Sequence, residues 1–217
     1  MRDLPCNRLE LDEIWGFVGK KDRNIRRGDS IEVGSVWTWC AIDADTKLVP
    51  SFHVGGRTHL DADAFVADVA SRMKNRVQIS MDGLKAYVNA IEKSFGADVD
   101  YAQIVKVYKS DMVERRYSQS GVESVDCIVR AGNPNRDLIS TSYVERLNAT
   151  TRLHMRRLTR LTHAFSKKRE NFTAAVGLHF AYYNFVRRHN TLRCIPAMAA
   201  GVAGTQWSVA DLLEATA

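Results

Sequence analysis

The amino-acid sequence predicts a mixed α/β fold in which a five-stranded sheet is flanked by helices. Three strand-like segments near the N-terminus are joined by short connections, which favours an antiparallel meander. The middle of the chain then alternates strand, helix, strand, helix, strand, which favours parallel pairing. The 217 residues are 45% hydrophobic, so the chain is able to bury a substantial core.

The first predicted strand, 8–18, alternates apolar and polar residues, and its polar face carries Asp12. By strand alternation, the neighbouring Glu13 points to the other face, away from Asp12. The elements predicted after it are a basic hairpin connection (19–28), strands 33–42 and 48–54, a helix (59–75), a short strand with Asp82 at its end (77–83), a helix (84–95) and a fifth strand (101–107).

The C-terminal half is predicted to be mainly helical. Residues 108–138 are polar and contain Gly121, Gly132 and Pro134, so we predict an insertion or long loop with one strand-like run at 125–129. No Gly or Pro interrupts 141–164, which predicts one long helix, and 171–188 predicts another. We expect one domain over 1–200 and a tail, 201–217, with a short helix.

The predicted helix that begins near Thr141 combines one acid with many cations. At helical spacing Glu145, Asn148, Arg152 and Arg156 share one face. Between residues 146 and 169 there are eight Arg or Lys and no Asp or Glu, and the net charge of the chain is +6. Such a surface suits a polyanion. A solvated helix face with a glutamate favoured by the helix dipole explains the same pattern.

Three acids form the candidate site: Asp12 on the first strand, Asp82 at the end of the fourth, and Glu145. If the first and fourth strands are neighbours, these carboxylates converge. Three carboxylates repel one another unless a cation neutralises them, and oxygen ligands favour Mg²⁺ or Mn²⁺. Two such ions would activate a hydroxyl nucleophile and stabilise the leaving oxygen in phosphodiester chemistry.

Other polar residues have simpler explanations. Asp43 and Asp45 fit a turn between strands, and Asp61 and Asp63 fit a helix start. His189, near a helix end, fits a phosphate contact and a surface position equally well. The four cysteines are far apart and form no CxxC pair, so neither a zinc module nor a disulfide framework is indicated. Without a signal region or a long apolar run, we expect a cytoplasmic protein with no membrane segment.

Several motifs together resemble the DDE transposases of the insertion-sequence-one type. They occur in the family's order and cover roughly residues 9–201. The motifs are LDEIWGFVG at 11–19, MDG at 81–83, VERLN at 144–148, FSK at 165–167 and YNFVRRHNTLR at 183–193.

The resemblance implies an RNase H-like catalytic domain over residues 1–200 with Asp12, Asp82 and Glu145 as catalytic and metal-binding residues. It implies a transposase that cleaves DNA at insertion-sequence ends and joins the strand to target DNA, with two Mg²⁺ or Mn²⁺ ions and a homo-oligomer in the DNA complex. A nuclease of the same fold and a catalytically defective DNA-binding remnant remain alternatives. The expected DNA-binding residues are Arg152, Arg156, Lys20, Lys21, Arg187, Arg188 and His189.

The interval from Asp82 to Glu145 contains the unassigned segment 108–138, which is one departure from the family. A second feature also departs from the family. Its members usually begin with a zinc-binding segment and a helix-turn-helix, whereas Met1 lies just before the first strand. The sequence therefore leaves three alternatives: a catalytic portion, a truncated reading frame, or a protein that relies on another DNA-binding chain.

Overall fold

The structure, a computed structural model, describes residues 1–108 and 122–215. Its strands are β1 (Arg8–Val18), β2 (Gly34–Asp43), β3 (Phe52–Gly55), β4 (Val77–Asp82), β5 (Val99–Tyr108) and β6 (Val122–Ala131). Its α-helices are α1 (His59–Ala70), α2 (Ala86–Phe95), α3 (Ser142–His154), α4 (Arg169–Phe185), α5 (Pro196–Ala199) and α6 (Val209–Glu214). Every α-helix within these residues is too short or too polar to traverse a lipid bilayer.

The strands form one mixed sheet in the order β3-β2-β1-β4-β5-β6. The pairs β1–β2 and β2–β3 are antiparallel, whereas β4 runs parallel to both β1 and β5. The predicted meander and the predicted adjacency of the first and fourth strands are therefore confirmed. The fold class is confirmed as mixed α/β, and the arrangement is consistent with an RNase H-like fold.

The sheet has six strands rather than five, because β6 pairs antiparallel with β5. The prediction of an insertion or long loop at 108–138 was therefore wrong for 122–131, although the strand-like run at 125–129 does lie in β6. The polar composition misled the prediction because β6 lies at the sheet edge and side chains such as Val125 and Asp126 are exposed there. Residues 109–121 of that segment lie outside the described residues.

Helix α3 ends at His154, so the predicted long helix over 141–164 was wrong beyond that residue. Met155 is extended, and a short 3₁₀ helix, Arg156–Leu158, follows. This change of direction buries Met155 and Leu158 in the core. Leu158 packs against β1 at Gly16, where an added Cβ would approach the leucine within 3.1 Å. Burial of Leu158 against a glycine thus outweighs the local preference for helix.

Two apolar cores cover the two faces of the sheet. Leu9 and Leu11 of β1 belong to the core beneath α1 and α2, whereas Ile14 and Val18 of the same strand belong to the core beneath α3 and α4. Alternate residues of β1 therefore face different helix pairs, as a strand buried on both faces requires. Strand β1 lies at the centre of the molecule, and its polar residues lie between the two helical layers.

The end of α4 and the chain that follows it pack onto the rest of the domain. Asn184 exchanges side-chain hydrogen bonds with the backbone of Val49 at 2.9 and 2.8 Å, which fixes the chain just before β3. The ring of Trp207 stacks on Phe185 with 4.5 Å between centroids. Helix α6 begins at a capping box on Ser208 and buries Leu212. The short helix predicted in the 201–217 tail is therefore confirmed.

Candidate active site

The candidate site lies where β4 ends and β1 continues. Pairing of these parallel strands ends at Leu11 and Met81, and β4 ends at Asp82, but β1 extends to Val18. Within the described residues, β1 therefore has no paired strand on its β4 side from Asp12 to Phe17, and Val18 then forms an isolated parallel bridge with Ser166. The open strand edge leaves room for side chains from both faces of β1 to approach Asp82.

Asp12, Glu13 and Asp82 meet at this open edge. One carboxylate oxygen from each lies within 4.8 Å of the others, a spacing suited to holding a metal ion. The prediction that Glu13 points away from Asp12 holds for the strand face but was wrong for the carboxylate. Its longer side chain extends around the uncovered edge of β1, whereas strand alternation considers only the direction of the Cβ atom.

The Glu13 carboxylate is buried and carries its own counter-ion. Arg57 Nε donates to Glu13 Oε1 at 2.8 Å, and the Tyr87 hydroxyl lies 3.4 Å from Oε2. The Arg57 guanidinium lies 4.7 Å from the centre of the Trp37 ring, which holds it in place. Burial, and then the charges of Asp82 and Asp12, raise the pKa of Glu13 to about 7 despite Arg57.

Asp12 occupies a similarly unfavourable position for a negative charge. Burial raises its pKa to about 6, and the charges of Asp82 and Glu145 act in the same direction. Two donors oppose this shift: the backbone N–H of Glu13, at 2.8 Å from Oδ1, and the side-chain amide of Asn148, at 2.6 Å from Oδ2. The close spacing of these carboxylates fits a divalent cation, because their oxygens are the ligands that such ions prefer.

Glu145 faces the same groove but makes different contacts. The groove has a volume of about 870 Å³, and its lining includes Asp12, Asp82 and Glu145. The Glu145 carboxylate accepts hydrogen bonds from Thr141 Oγ1, at 2.8 Å, and from the Lys106 ammonium. The structure thus brings all three predicted acids to one groove, with Glu145 paired to Lys106 rather than grouped with the other two.

Helix α3 is fixed to β1 by a buried glutamate. Glu10 accepts hydrogen bonds from the backbone N–H groups of Tyr143 and Val144 at 2.7 and 2.9 Å. These donors lie in the first turn of α3 and have no partner within the helix. Glu10 and Asp12 leave the same face of β1, so one strand both anchors the helix that bears Glu145 and supplies an acid to the site.

Of the two arginines predicted to share the helix face of Glu145, Arg152 does so and Arg156 does not. Arg152 lines the groove, but it is half-buried, and its guanidinium donates to the backbone oxygens of Leu158 at 2.6 Å and Trp15 at 3.3 Å. It therefore stabilises the turn that follows α3. Arg156 lies beyond the end of α3 and is exposed, so the prediction that it shares the helix face of Glu145 was wrong.

The remaining predicted DNA-binding residues do not line the acidic groove. Lys20 pairs with Asp29 at 2.6 Å, and Lys21 donates to the Arg160 backbone oxygen at 2.9 Å. The other three predicted residues, Arg187, Arg188 and His189, line a separate pocket on the opposite side of α3.

Besides directing Glu13 away from the site, the sequence analysis gave no site role to four groove or support residues: Glu10, Arg57, Lys106 and Asn148. Only Asn148 carried a signal, because it lies three residues after Glu145 on the same helix face. Arg57 and Lys106 come from a loop and a strand whose place beside the acids depends on the tertiary arrangement.

No protein-family model matches the sequence, and no curated protein matches it. Among solved structures, the chain is similar to a piggyBac transposase in a synaptic complex with hairpin DNA, at 11% identity, over 97% of this chain, with a TM-score of 0.45. It spans about half of that transposase, 51%. It is also similar to Endonuclease V from Bacillus subtilis, at 13% identity, over 84% of this chain and 86% of that chain, with a TM-score of 0.29. The fold assignment rests on the strand order and directions.

Proposed function

We propose that this protein is a metal-dependent DNA transposase of the DDE type. It would cleave a DNA strand at the end of an insertion sequence and join the freed 3′-hydroxyl to target DNA. The observation that carries the proposal is the convergence of Asp12 and Asp82 at the open edge of β1, with Glu145 lining the same groove. The resemblance of the motifs around these three acids to insertion-sequence-one transposases supports the same assignment.

The donor set of the groove fits divalent cations such as Mg²⁺ or Mn²⁺. Asp12, Glu13 and Asp82 each place a carboxylate oxygen in one small volume, and we propose that Glu145 joins them in the metal-bound form by leaving Lys106. When bound, two such ions would activate the attacking hydroxyl and stabilise the leaving oxygen. The proposed metal-binding and catalytic residues are Asp12, Asp82 and Glu145.

The residues of the chain position the reacting groups. In cleavage, a water oxygen bonds to phosphorus, the bond from phosphorus to the 3′-oxygen breaks, and that oxygen takes up a proton. In joining, the resulting 3′-hydroxyl loses its proton as its oxygen bonds to a target phosphorus, the bond from that phosphorus to the target 3′-oxygen breaks, and the released 3′-oxygen takes up a proton. Asn148 would hold Asp12 in its orientation, and Arg57 and Lys106 supply positive charge at the groove. Joining two insertion-sequence ends would require at least two copies of the chain.

A cleavage and joining assay tests this proposal. The purified chain would be incubated with a labelled duplex that carries the neighbouring terminal inverted repeats, with Mg²⁺ or with EDTA. We expect Mg²⁺-dependent cleavage and strand joining, and their loss in Asp12→Asn, Asp82→Asn and Glu145→Gln. The matched control is Asp63→Asn, because Asp63 pairs with Lys93 at 2.6 Å and does not line the groove.

The same assay separates the alternatives. Cleavage without joining would assign a nuclease of this fold, and duplex binding without cleavage would assign a DNA-binding remnant. A fully active amide variant would exclude that acid from the catalytic set.

A further inference from the structure

A second pocket lies on the opposite side of α3 from the acidic groove. The groove is lined by Glu145, Asn148, Ala149 and Arg152, and the second pocket is lined by other residues of the same helix, among them Arg146. The second pocket has a volume of about 450 Å³. An α-helix with its side chains is about 10–12 Å across, so one phosphate group is too small to occupy both sites.

The second pocket is strongly cationic. Its lining includes Lys47, Arg146, Arg187, Arg188 and His189, and it contains no Asp or Glu among the described residues. Across residues 1–108 and 122–215, no carboxylate lies within 4.0 Å of the charged nitrogens of the four Lys and Arg side chains. The hydroxyls of Thr150 and Thr191 and the amide of Asn190 add uncharged donors.

These basic side chains come from three separate parts of the chain and line one volume. Burial, followed by the charges of Lys47, Arg187 and Arg146, lowers the pKa of His189. Lys47 is buried, and its ammonium lies 3.2 Å from the centre of the Tyr143 ring. A cluster of cations without carboxylate partners raises the local affinity for an anion.

The pocket wall formed by residues 187–191 is held by hydrogen bonds to the residues that follow it. The N–H of His189 donates to Cys194 O, and the N–H of Arg193 donates to His189 O, both at 2.8 Å. Arg188 Nε also donates to Arg193 O at 2.8 Å, and Arg193 has a φ of +58°. Because the loop is ordered around Arg188 and His189, little conformational entropy remains to be lost when an anion binds.

We infer that this cationic pocket binds backbone phosphates of the DNA, one helix width away from the phosphate that is cleaved in the acidic groove. The inference rests on the proposed function and deepens it. Helix α3 would then lie between a metal-binding groove and a phosphate-binding pocket. It would supply Glu145 to the groove and Arg146 to the pocket. Phosphate contacts of this kind set the position of the duplex and not its sequence preference.

Salt-dependent DNA binding tests the inference without any need for cleavage. Fluorescence anisotropy would measure the affinity of the full chain for a labelled duplex across a NaCl series in EDTA. We expect Arg146→Gln and Arg188→Gln each to weaken binding and to reduce the slope of log affinity against log salt by about one. Arg136→Gln is the matched control, because Arg136 is exposed and lines neither pocket. Thermal melting would verify that each variant is folded.

Unchanged affinity and slope in both folded pocket variants would overturn the inference. A titration with inorganic phosphate tests whether the ligand of the pocket is a small free anion instead of DNA. If phosphate raises the melting temperature of the wild type but not of Arg146→Gln, while DNA binding is unaffected, the pocket binds a free anion and the DNA assignment is wrong. Reduced slopes in a protein that never cleaves DNA would leave this pocket standing and remove the proposed function. DNA cleavage by the wild type, with unchanged salt slopes in the pocket variants, would support the proposed function and overturn the assignment of this pocket.

Discussion

The side-chain amide of Asn148 donates a hydrogen bond to Asp12 Oδ2 at 2.6 Å and so connects α3 directly to the acid on β1. The two residues are 136 positions apart in the sequence. Asn148 also contacts Cys40 Sγ, at 3.3 Å from Oδ1, which fixes the orientation of its amide. With Nδ2 turned toward Asp12, the amide favours the ionised carboxylate, which is the form that binds a cation.

Replacement of Asn148 by Ala should therefore raise the Mg²⁺ concentration needed for half-maximal cleavage. A hydrogen bond to a charged group contributes about 1.5–3 kcal/mol, and its loss leaves Asp12 with a higher pKa, so protons compete better with the metal. A Mg²⁺ titration of the cleavage rate measures the effect. Ala149→Ser changes a neighbouring groove residue and should leave the titration unchanged. An unaltered Mg²⁺ requirement in Asn148→Ala would show that this contact does not support metal binding.

Metal binding should stabilise the folded protein through the acidic cluster. A ligand that binds only the native state at about 100 times its Kd adds about 2.7 kcal/mol. We expect MgCl₂ to raise the melting temperature of the wild type above that in EDTA, and Asp82→Asn to abolish this increase. In EDTA, Asp82→Asn should be at least as stable as the wild type, because it removes one charge that repels Asp12 and Glu13. Asp63→Asn should keep the full response to Mg²⁺.

In the absence of metal, Glu13 should make stability depend on pH. Its pKa is about 7 in the folded chain against 4.5 as the ordinary value, so over this window the native state retains a proton that the unfolded state has lost. Stability contributed by this group is therefore lost as pH rises from 4.5 to 7. Because the Gln amide of Glu13→Gln is neutral at every pH in this window, the variant should gain stability relative to the wild type across that range, by up to about 3 kcal/mol.

Urea unfolding in EDTA at several pH values would measure this difference. Asp12, whose pKa is raised to about 6, acts in the same direction but is present in both proteins. The control is Glu92→Gln on the exposed side of α2. A difference between Glu13→Gln and the wild type that stays constant from pH 4.5 to 7 would contradict the prediction.

Arg152→Ala should lower the stability of the fold, because Arg152 is half-buried and its guanidinium is held by backbone oxygens. Its guanidinium bonds to Leu158 O and Trp15 O, and its loss leaves both carbonyl groups without this donor. We expect a decrease in the free energy of unfolding of about 1.5–3 kcal/mol, measured by urea denaturation. Arg156→Ala, at an exposed position, should change it by less than about 0.5 kcal/mol. Equal stability of the two variants would remove the structural role of Arg152.

Glu10 should control the order of the first turn of α3. Glu10→Ala leaves the part-buried N–H of Tyr143 and the buried N–H of Val144 without their acceptor, at a cost of about 1–3 kcal/mol for the buried donor. Glu10→Gln keeps one acceptor oxygen and should lose less. Hydrogen exchange at these two amides is the direct measurement. We expect much faster exchange in Glu10→Ala, and unchanged protection would show that another group caps the helix.

Periodicity and turn residues were sufficient to predict the meander, the parallel addition of β4 and β5, and the helix that begins near Ser142. These features depend on interactions between residues close in sequence, or on general rules of chain connection. The same local information failed at β6, whose exposed residues resemble a loop, and at the end of α3, where Leu158 leaves the helix to pack on Gly16.

The sequence by itself determined which acids are candidates, because Asp12, Asp82 and Glu145 each stand at a recognisable point of a strand or helix. Only the tertiary structure decided that Glu13 extends around the open edge of β1, that Asn148 holds Asp12, and that Lys106 pairs with Glu145. The physical reason is that side-chain reach and partner choice depend on where neighbouring strands end and which helix crosses them. Neither the end points of neighbouring strands nor the position of the crossing helix is encoded in the local sequence around any one residue.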